Sequence, residues 1–253
     1  MDQKRRQLIT GISLAGAGAL ITACRKSPGS SSGATNDEPK SETGTGGTEE
    51  SPGVDATATE DLMREHGIIR RALLIYRESA IKLRQDPVSV KPDSLEKTAK
   101  LIRVFGEDYH EKQLEETYIF PALKKSQNSA VVYVDVLIAQ HARGREITDY
   151  LLEVTKADQI PANNINTVIN AMESFARMYE HHAALEDTIV FPAWKATIGD
   201  RELDELGAKF EEIEDEAFGG DGFEAASKRI AEIEAELGLA NLGMFTAPSL
   251  TGN

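Results

Sequence analysis

Two stretches of this chain are nearly the same, and they limit the folds that it can adopt. One, HEKQLEETYIFPAL, begins at His110, and the other, HHAALEDTIVFPAW, begins at His181. Each starts at a histidine, carries a glutamate five residues later and ends in a Phe-Pro pair with an alanine. Such a duplication predicts two related halves that face each other, so that the repeated polar residues lie together.

The sequence around the repeat has the periodicity of helices. Apolar residues recur at helical spacing, and helix breakers come only at wide intervals. Six helices are predicted, at residues 59–84, 93–125, 129–156, 162–197, 201–217 and 222–237. The first four are long and joined by short links, which predicts an all-α, up-down-up-down four-helix bundle. The last two are amphipathic, and we expect these additional C-terminal helices to pack on the bundle.

The five histidines of the chain all fall on the four long predicted helices. They are His66 on the first, His110 on the second, His141 on the third, and His181 and His182 on the fourth. Each lies roughly mid-helix, where four antiparallel helices come to one level in the core. Glutamates accompany the histidines on the second and fourth helices. Imidazole nitrogen and carboxylate oxygen without thiolate suit iron or manganese, and inward-facing Glu and His side chains in such a bundle form di-iron sites.

These segments resemble the hemerythrin-like, or HHE cation-binding, family. The resemblance covers residues 61–194 and rests on REHG (64–67), YHEKQLEETYIFP (109–121), AQHARGRE (139–146) and HHAALEDTIVFP (181–192), in that order. It implies a hemerythrin-like bundle, here at 59–198, followed by a C-terminal helical extension at 199–253. It also implies a non-heme di-iron centre that binds or senses O2, or reacts with peroxide or nitric oxide.

One position departs from hemerythrin itself, which has two histidines four residues apart on its third helix. Here Arg145 stands four residues after His141, so the chain has fewer nitrogen ligands. Bridging carboxylates and solvent would have to complete the coordination, which favours redox chemistry at a more open site over reversible O2 carriage. The alternatives are a di-iron peroxidase or oxidase, and a metal-storage or sensory module whose C-terminal helices meet a protein partner that the sequence does not define.

The expected ligands of two iron ions, with manganese as the other metal considered, are His66, His110, Glu115, His141, His182 and Glu186. Helical phase favours His182 over His181. Residues four apart on an α-helix differ by about 40° and residues five apart by about 140°, so His182 shares a face with Glu186. His181 stays an alternate, because alignment of the two repeats pairs it with His110.

In a regular α-helix, Glu115 would lie on a different face from His110, because it comes five residues later. A π-bulge between the two would return them to one face of the helix. Alternatively, the adjacent Glu111 is the ligand. We expect Glu115 and keep Glu111 as the alternate.

The N-terminus has the pattern of an exported lipoprotein. Residues 8–23 are an uncharged run that is too short to span a bilayer comfortably. The paired Arg5 and Arg6 before this run resemble a twin-arginine export signal. Ile21, Thr22 and Ala23 before Cys24 resemble a lipobox. We therefore expect residues 1–23 to be a signal peptide, Cys24 to be lipidated, and the protein to be anchored on the periplasmic side of a membrane of the cell envelope.

Composition adds three further expectations. Residues 24–58 are rich in Ser, Gly and Pro with few apolar side chains, which predicts a disordered tether between the anchor and the bundle. The net charge of −14 argues against nucleic acid as a partner. Cys24 is the single cysteine, so the chain cannot form an internal disulfide.

Overall fold

The fold is that of a computed structural model, which describes residues 56–250. All regular elements within this range are helical. The predicted signal peptide, the lipidated Cys24 and nearly all of the predicted tether lie outside the described residues. Inside them, no helix combines the length and the apolar composition that crossing a bilayer requires.

The described residues form six long helices, as the sequence predicts. Helix α1 is Ala58–Gln85. Helix α2 has three contiguous parts, which are α-helical over Pro92–Leu101, π-helical over Ile102–Ile119 and α-helical again over Phe120–Lys125. Helix α3 is Val131–Val154. Helix α4 has parts at Ile165–Leu185, Glu186–Val190 and Phe191–Ile198, of which the middle one is π-helical. Helices α5 and α6 are Asp200–Phe218 and Gly222–Glu236.

Local sequence sets several of these boundaries. Thr57 accepts a hydrogen bond from the backbone N–H of Glu60, whose carboxylate accepts one from the N–H of Thr57, so α1 begins in a capping box. Helix α5 ends at Gly219, which has a φ of 70° in the left-handed region that favours glycine. Asp221 then caps the start of α6 by accepting from the N–H of Glu224.

The first four helices form an antiparallel bundle. Ion pairs between α1 and α4 are Arg70–Asp187, Arg77–Glu180 and Arg84–Glu173. Those between α2 and α3 are Arg103–Asp149, Arg145–Glu116 and Lys124–Asp135. In both sets residue numbers rise along one helix as they fall along the other. Middle turns of the four helices therefore come to the same level, which is where the histidines lie.

The two C-terminal helices pack on the bundle, α6 against α1 and α2 and α5 against α1, α2 and the C-terminal part of α4, which confirms the prediction. From α5, the ring of Phe218 contacts that of Tyr109, with centroids 5.2 Å apart, and Phe210 stacks on Trp194 at 6.0 Å. From α6, Glu234 accepts hydrogen bonds from Arg71 of α1. Among the described residues, neither helix contributes a histidine, aspartate or glutamate to the groups that could hold a cation.

Candidate metal centre

The six residues expected as ligands all lie in the core at one level of the bundle. They are His66, His110, Glu115, His141, His182 and Glu186, and none is more than 3% exposed. The residues that could hold a cation here fall into two overlapping sets. One set contains Glu115, His141, His182 and Glu186, and the other contains His66, His110 and Glu115. Four helices thus contribute to a single buried cluster.

The four histidines form two facing pairs. The Nε2 atoms of His66 and His110 are 3.0 Å apart, and those of His141 and His182 are also 3.0 Å apart. Each pair joins two helices, α1 with α2 in one case and α3 with α4 in the other. The pairs correspond to the two related halves that the sequence repeat predicts.

The two glutamates connect the two histidine pairs. One oxygen of Glu115 lies 3.5 Å from His110 Nε2 and the other 3.3 Å from His141 Nε2. Glu186 is placed in the same way, 3.5 Å from His66 Nε2 and 3.0 Å from His182 Nε2. Each carboxylate therefore faces one histidine of each pair, which is the arrangement of a carboxylate that bridges two ions.

A π-helix brings His110 and Glu115 together despite their five-residue spacing. Hydrogen bonds in a π-helix join residues five apart, so such residues lie one turn above each other. The π geometry extends over the whole of Ile102–Ile119, where the sequence suggested a single bulge. Both π-helical stretches end in the same way, because the N–H of Phe120 bonds to the carbonyl of Glu115 and that of Phe191 to the carbonyl of Glu186.

The adjacent histidines of α4 have different surroundings. His182 is buried, and its Nε2 lies 3.0 Å from the carboxylate of Glu186, four residues on in regular α-helix. His181 is exposed on the outside of the bundle. Alignment of the repeats pairs His181 with His110, but in the structure His182 occupies the equivalent place. The extra residue between His110 and Glu115 is absorbed by the π-helix of α2.

Every clustered histidine is held at its other ring nitrogen. The pairs are His66 Nδ1 with Asp187 at 2.7 Å, His110 Nδ1 with Glu65 at 2.7 Å, His141 Nδ1 with Glu116 at 2.8 Å, and His182 Nδ1 with Gln140 at 2.9 Å. These partner atoms are oxygens that accept, so each Nδ1 donates and carries the hydrogen. The lone pair of a neutral imidazole is then on Nε2, which points into the cluster.

This outer layer is also duplicated, and the sequence reasoning missed it. Glu116 and Asp187 follow the clustered glutamates directly, whereas Glu65 and Gln140 directly precede the lone histidines of α1 and α3. Extending the comparison of the two halves by one residue on each motif would have found all four. Arginines complete the pattern, since Arg70 pairs with Asp187 and Arg145 donates to Glu116 at 2.7 Å.

The alternate ligand Glu111 is buried but faces hydrogen-bond donors. One oxygen accepts from the hydroxyl of Tyr179 and the other from Arg145 at 3.1 Å. Glu111, Glu116 and His141 form a third set with the spacing of a cation site. The guanidinium of Arg145 already binds both of these carboxylates, so a positive charge is present there without a metal ion.

The histidines and carboxylates shift each other's pKa values strongly. Burial lowers the pKa of His141, but the surrounding glutamates Glu111, Glu115 and Glu116 raise it to about 10. Burial raises the pKa of Glu115, but His110 and His141 hold it well below its ordinary value. The carboxylate of Glu115 therefore stays ionised in the core, where a positive charge at the histidine Nε2 atoms must balance it, either protons or metal ions.

Two observations show that these residues fit metal ions. Two nitrogen ligands at right angles on one ion, each about 2.1 Å from it, are about 3.0 Å apart, which matches both Nε2 separations. In the described part of the chain, no hydrogen-bond donor is aligned with any of the four oxygens of Glu115 and Glu186. Buried carboxylates without donors are costly unless cations coordinate them.

Comparison with known proteins agrees with this geometry. Residues 57–194 match the family described as the Hemerythrin HHE cation binding domain, which is more than half of the chain. The chain belongs to the hemerythrin HHE cation-binding family. An uncharacterized protein of Mycobacterium bovis and one of Mycobacterium tuberculosis are each 40% identical to it over 247 residues, covering 96% of this chain and 90% of theirs. No solved structure matches significantly.

The hemerythrin match ends at residue 194, within α4, whereas the similarity to the mycobacterial proteins extends over nearly the whole chain. Helices α5 and α6 therefore lie outside the part that defines the hemerythrin family. All of the clustered histidines and glutamates lie inside it. The match supports a His/Glu metal-binding helical protein and leaves the reaction to be argued from the site.

Proposed function

We propose that this hemerythrin-family protein binds two iron ions at the four histidines and two glutamates, and that this centre binds O2 or reacts with peroxide or nitric oxide. One observation carries the proposal. Two facing histidine pairs are spanned by two buried carboxylates whose four oxygens lack aligned hydrogen-bond donors. The donor set of imidazole and carboxylate suits iron, with manganese as the alternative.

The side chains define what a small ligand would meet. One histidine pair with one oxygen from each of Glu115 and Glu186 would supply four donor atoms to an ion, which would leave about two positions of a six-coordinate ion for solvent or a small molecule. Iron bound there would supply electrons to such a molecule. The oxygens that hold each Nδ1 keep the imidazole rings oriented with Nε2 towards the cluster.

The surroundings of Arg145 favour redox reaction over reversible O2 carriage. This residue stands where hemerythrin has a further histidine, and its side chain binds Glu111 and Glu116 rather than facing the cluster. The site therefore has four histidine nitrogens with which to hold two ions. Fewer nitrogen ligands leave more positions open to exogenous molecules, which favours the peroxidase or oxidase function as the second candidate.

Metal content and the ultraviolet-visible spectrum of the purified domain test the main proposal. After reconstitution with ferrous iron, we expect about two irons per chain and, on exposure to air or peroxide, charge-transfer bands of an oxygen-bridged iron pair. Repeated turnover of added peroxide would distinguish an enzyme from a binding protein. Zinc bound in stoichiometric amount from expression, or no metal retained after reconstitution, would contradict the proposal.

We also propose that the protein is exported and held at the membrane through lipid on Cys24, which lies outside the described residues. Support comes from the sequence alone, from the basic start, the short apolar run and the residues before Cys24. We expect Cys24→Ser to move the protein from the membrane fraction to the soluble fraction of fractionated cells. Full retention of this variant in membranes would refute the lipid anchor.

A further inference from the structure

We propose that Tyr179 is a redox partner of the metal centre, which gives one electron and its phenolic proton when peroxide is reduced there. Glu111 is the acceptor of that proton. The inference rests on the proposed di-iron function and adds to it a residue that the metal ligands do not include. It rests on the contacts of Tyr179 with His182 and Glu111, on the hydrogen bond from Arg145 to Glu111, and on the space left by Gly144.

Tyr179 is buried directly against the centre. It is 3% exposed, and its ring centroid lies 5.2 Å from that of His182, with the rings tilted by 39°. The tyrosine is three residues before His182 on α4, so both side chains point into the bundle. A side chain in contact with a metal-binding imidazole is close enough to exchange an electron with the metal without an intermediate carrier.

The hydroxyl of Tyr179 has a defined acceptor for its proton. It donates to Glu111 Oε1 at 2.5 Å, and the other oxygen of Glu111 accepts from Arg145 at 3.1 Å. Oxidation of a phenol in the core requires that the proton leave, because a phenol radical cation is far less stable than the neutral phenoxyl radical. The carboxylate of Glu111 is the hydrogen-bonded group that can take it.

A glycine on the neighbouring helix makes room for this hydroxyl. A Cβ atom at Gly144 of α3 would lie 2.2 Å from the Tyr179 hydroxyl oxygen and 2.9 Å from two ring carbons. Any other residue at this position would force the tyrosine away from Glu111. The missing side chain at position 144 therefore lets the phenol reach the carboxylate of Glu111.

Tyr109 is another buried tyrosine with a buried carboxylate partner, and its setting differs. Its hydroxyl donates to Glu65 Oε1 at 3.0 Å, while Glu65 Oε2 accepts from His110 Nδ1 at 2.7 Å. A proton placed on Glu65 would weaken the contact that orients His110. Glu111 does not hold a histidine in this way, since His141 Nδ1 bonds to Glu116 at 2.8 Å and lies 3.9 Å from Glu111 Oε2.

The step balances with peroxide as the oxidant. Reduction of hydrogen peroxide to two waters breaks the O–O bond and consumes two electrons and two protons. One electron comes from Tyr179, whose O–H bond breaks with transfer of the proton to Glu111 Oε1. The second electron comes from the metal pair, and both protons that peroxide takes up come from solvent. Tyr179 becomes a neutral phenoxyl radical.

Electron paramagnetic resonance tests this role. Iron-loaded full chain is mixed with hydrogen peroxide and frozen during the reaction. We expect a tyrosyl radical signal whose hyperfine pattern narrows when the protein contains ring-deuterated tyrosine, a labelling that leaves the fold unchanged. The signal should be lost in Tyr179→Phe and retained in Tyr109→Phe and in Tyr76→Phe, which removes the hydroxyl of another buried tyrosine.

The outcomes separate this inference from the di-iron proposal. A radical signal that persists in Tyr179→Phe refutes the role of Tyr179. The role of Tyr179 is also refuted if the unmutated chain gives no tyrosyl signal although its optical spectrum shows that peroxide has oxidised the bound iron. In that case the di-iron proposal stands. Failure of the chain to bind iron contradicts both.

Discussion

With the proposed two-iron centre, His182→Ala is expected to lose about half or more of the iron, because one ion would then keep a single imidazole. The buried Nε2 of His182 lies 3.0 Å from both His141 Nε2 and Glu186. Removing the ring also leaves a cavity at the level where four helices meet, so the remaining ligands lose part of their support. Iron per chain after reconstitution and desalting, measured by elemental analysis, gives the result.

The adjacent histidine provides a matched control. His181→Ala makes the same change one residue earlier on the same helix, but its side chain is exposed. We expect this variant to retain the iron content and the optical spectrum of the unmutated protein. If His181→Ala loses iron and His182→Ala keeps it, the assignment of His182 as a ligand is wrong.

Glu115→Ala is expected to abolish stable binding of both ions, since each of its oxygens faces a different histidine pair. Without this carboxylate, each histidine pair would keep only one protein oxygen, from Glu186, with which to hold an ion. Metal added to the unmutated chain should raise its Tm, because a ligand at about 100 times its Kd stabilises the native state by roughly 2.7 kcal/mol. Glu115→Ala should remove most of this rise in Tm, measured by calorimetry with and without ferrous iron under anaerobic conditions.

Glu116, the residue after Glu115, provides a control that distinguishes a carboxylate bound to both ions from one that orients a histidine. Glu116 does not face the Nε2 atoms, but accepts from His141 Nδ1 at 2.8 Å and from Arg145. Loss of such an orienting partner lowers metal affinity by about 10- to 100-fold. We therefore expect Glu116→Ala to bind iron more weakly and to show the metal-dependent rise in Tm only at higher iron concentration. Equal losses in the two variants would argue against a bridging role for Glu115.

Much of the fold follows from local sequence. Apolar periodicity and the positions of proline and glycine predict all six helices, with ends within a few residues of those observed. The start of α1 shows the limit of this reasoning. Periodicity predicts a start at residue 59, whereas the helix capped by Thr57 begins at Ala58. Helix boundaries depend on one or two hydrogen bonds, whereas helix existence depends on many residues.

The outer layer of the site was harder to anticipate. Glu65 bonds to a histidine of α2 and Gln140 to one of α4, each across to another helix. Nothing in the local sequence distinguishes these residues from other polar residues of a helix. Their roles become visible when the two halves of the chain are compared together with the antiparallel order of the helices.

The doubled histidine shows where sequence ends and tertiary structure begins. Sequence by itself determined that histidines and glutamates recur in two related halves on four amphipathic helices, because spacing and apolar periodicity are properties of the chain alone. Helical phase already favoured His182 over His181, and tertiary structure decided how His110 comes to match it, because α2 is π-helical over Ile102–Ile119 while α4 stays α-helical up to Leu185. Hydrogen-bond register in a helix interior is set by packing and buried polar contacts from neighbouring helices, which residue spacing does not encode.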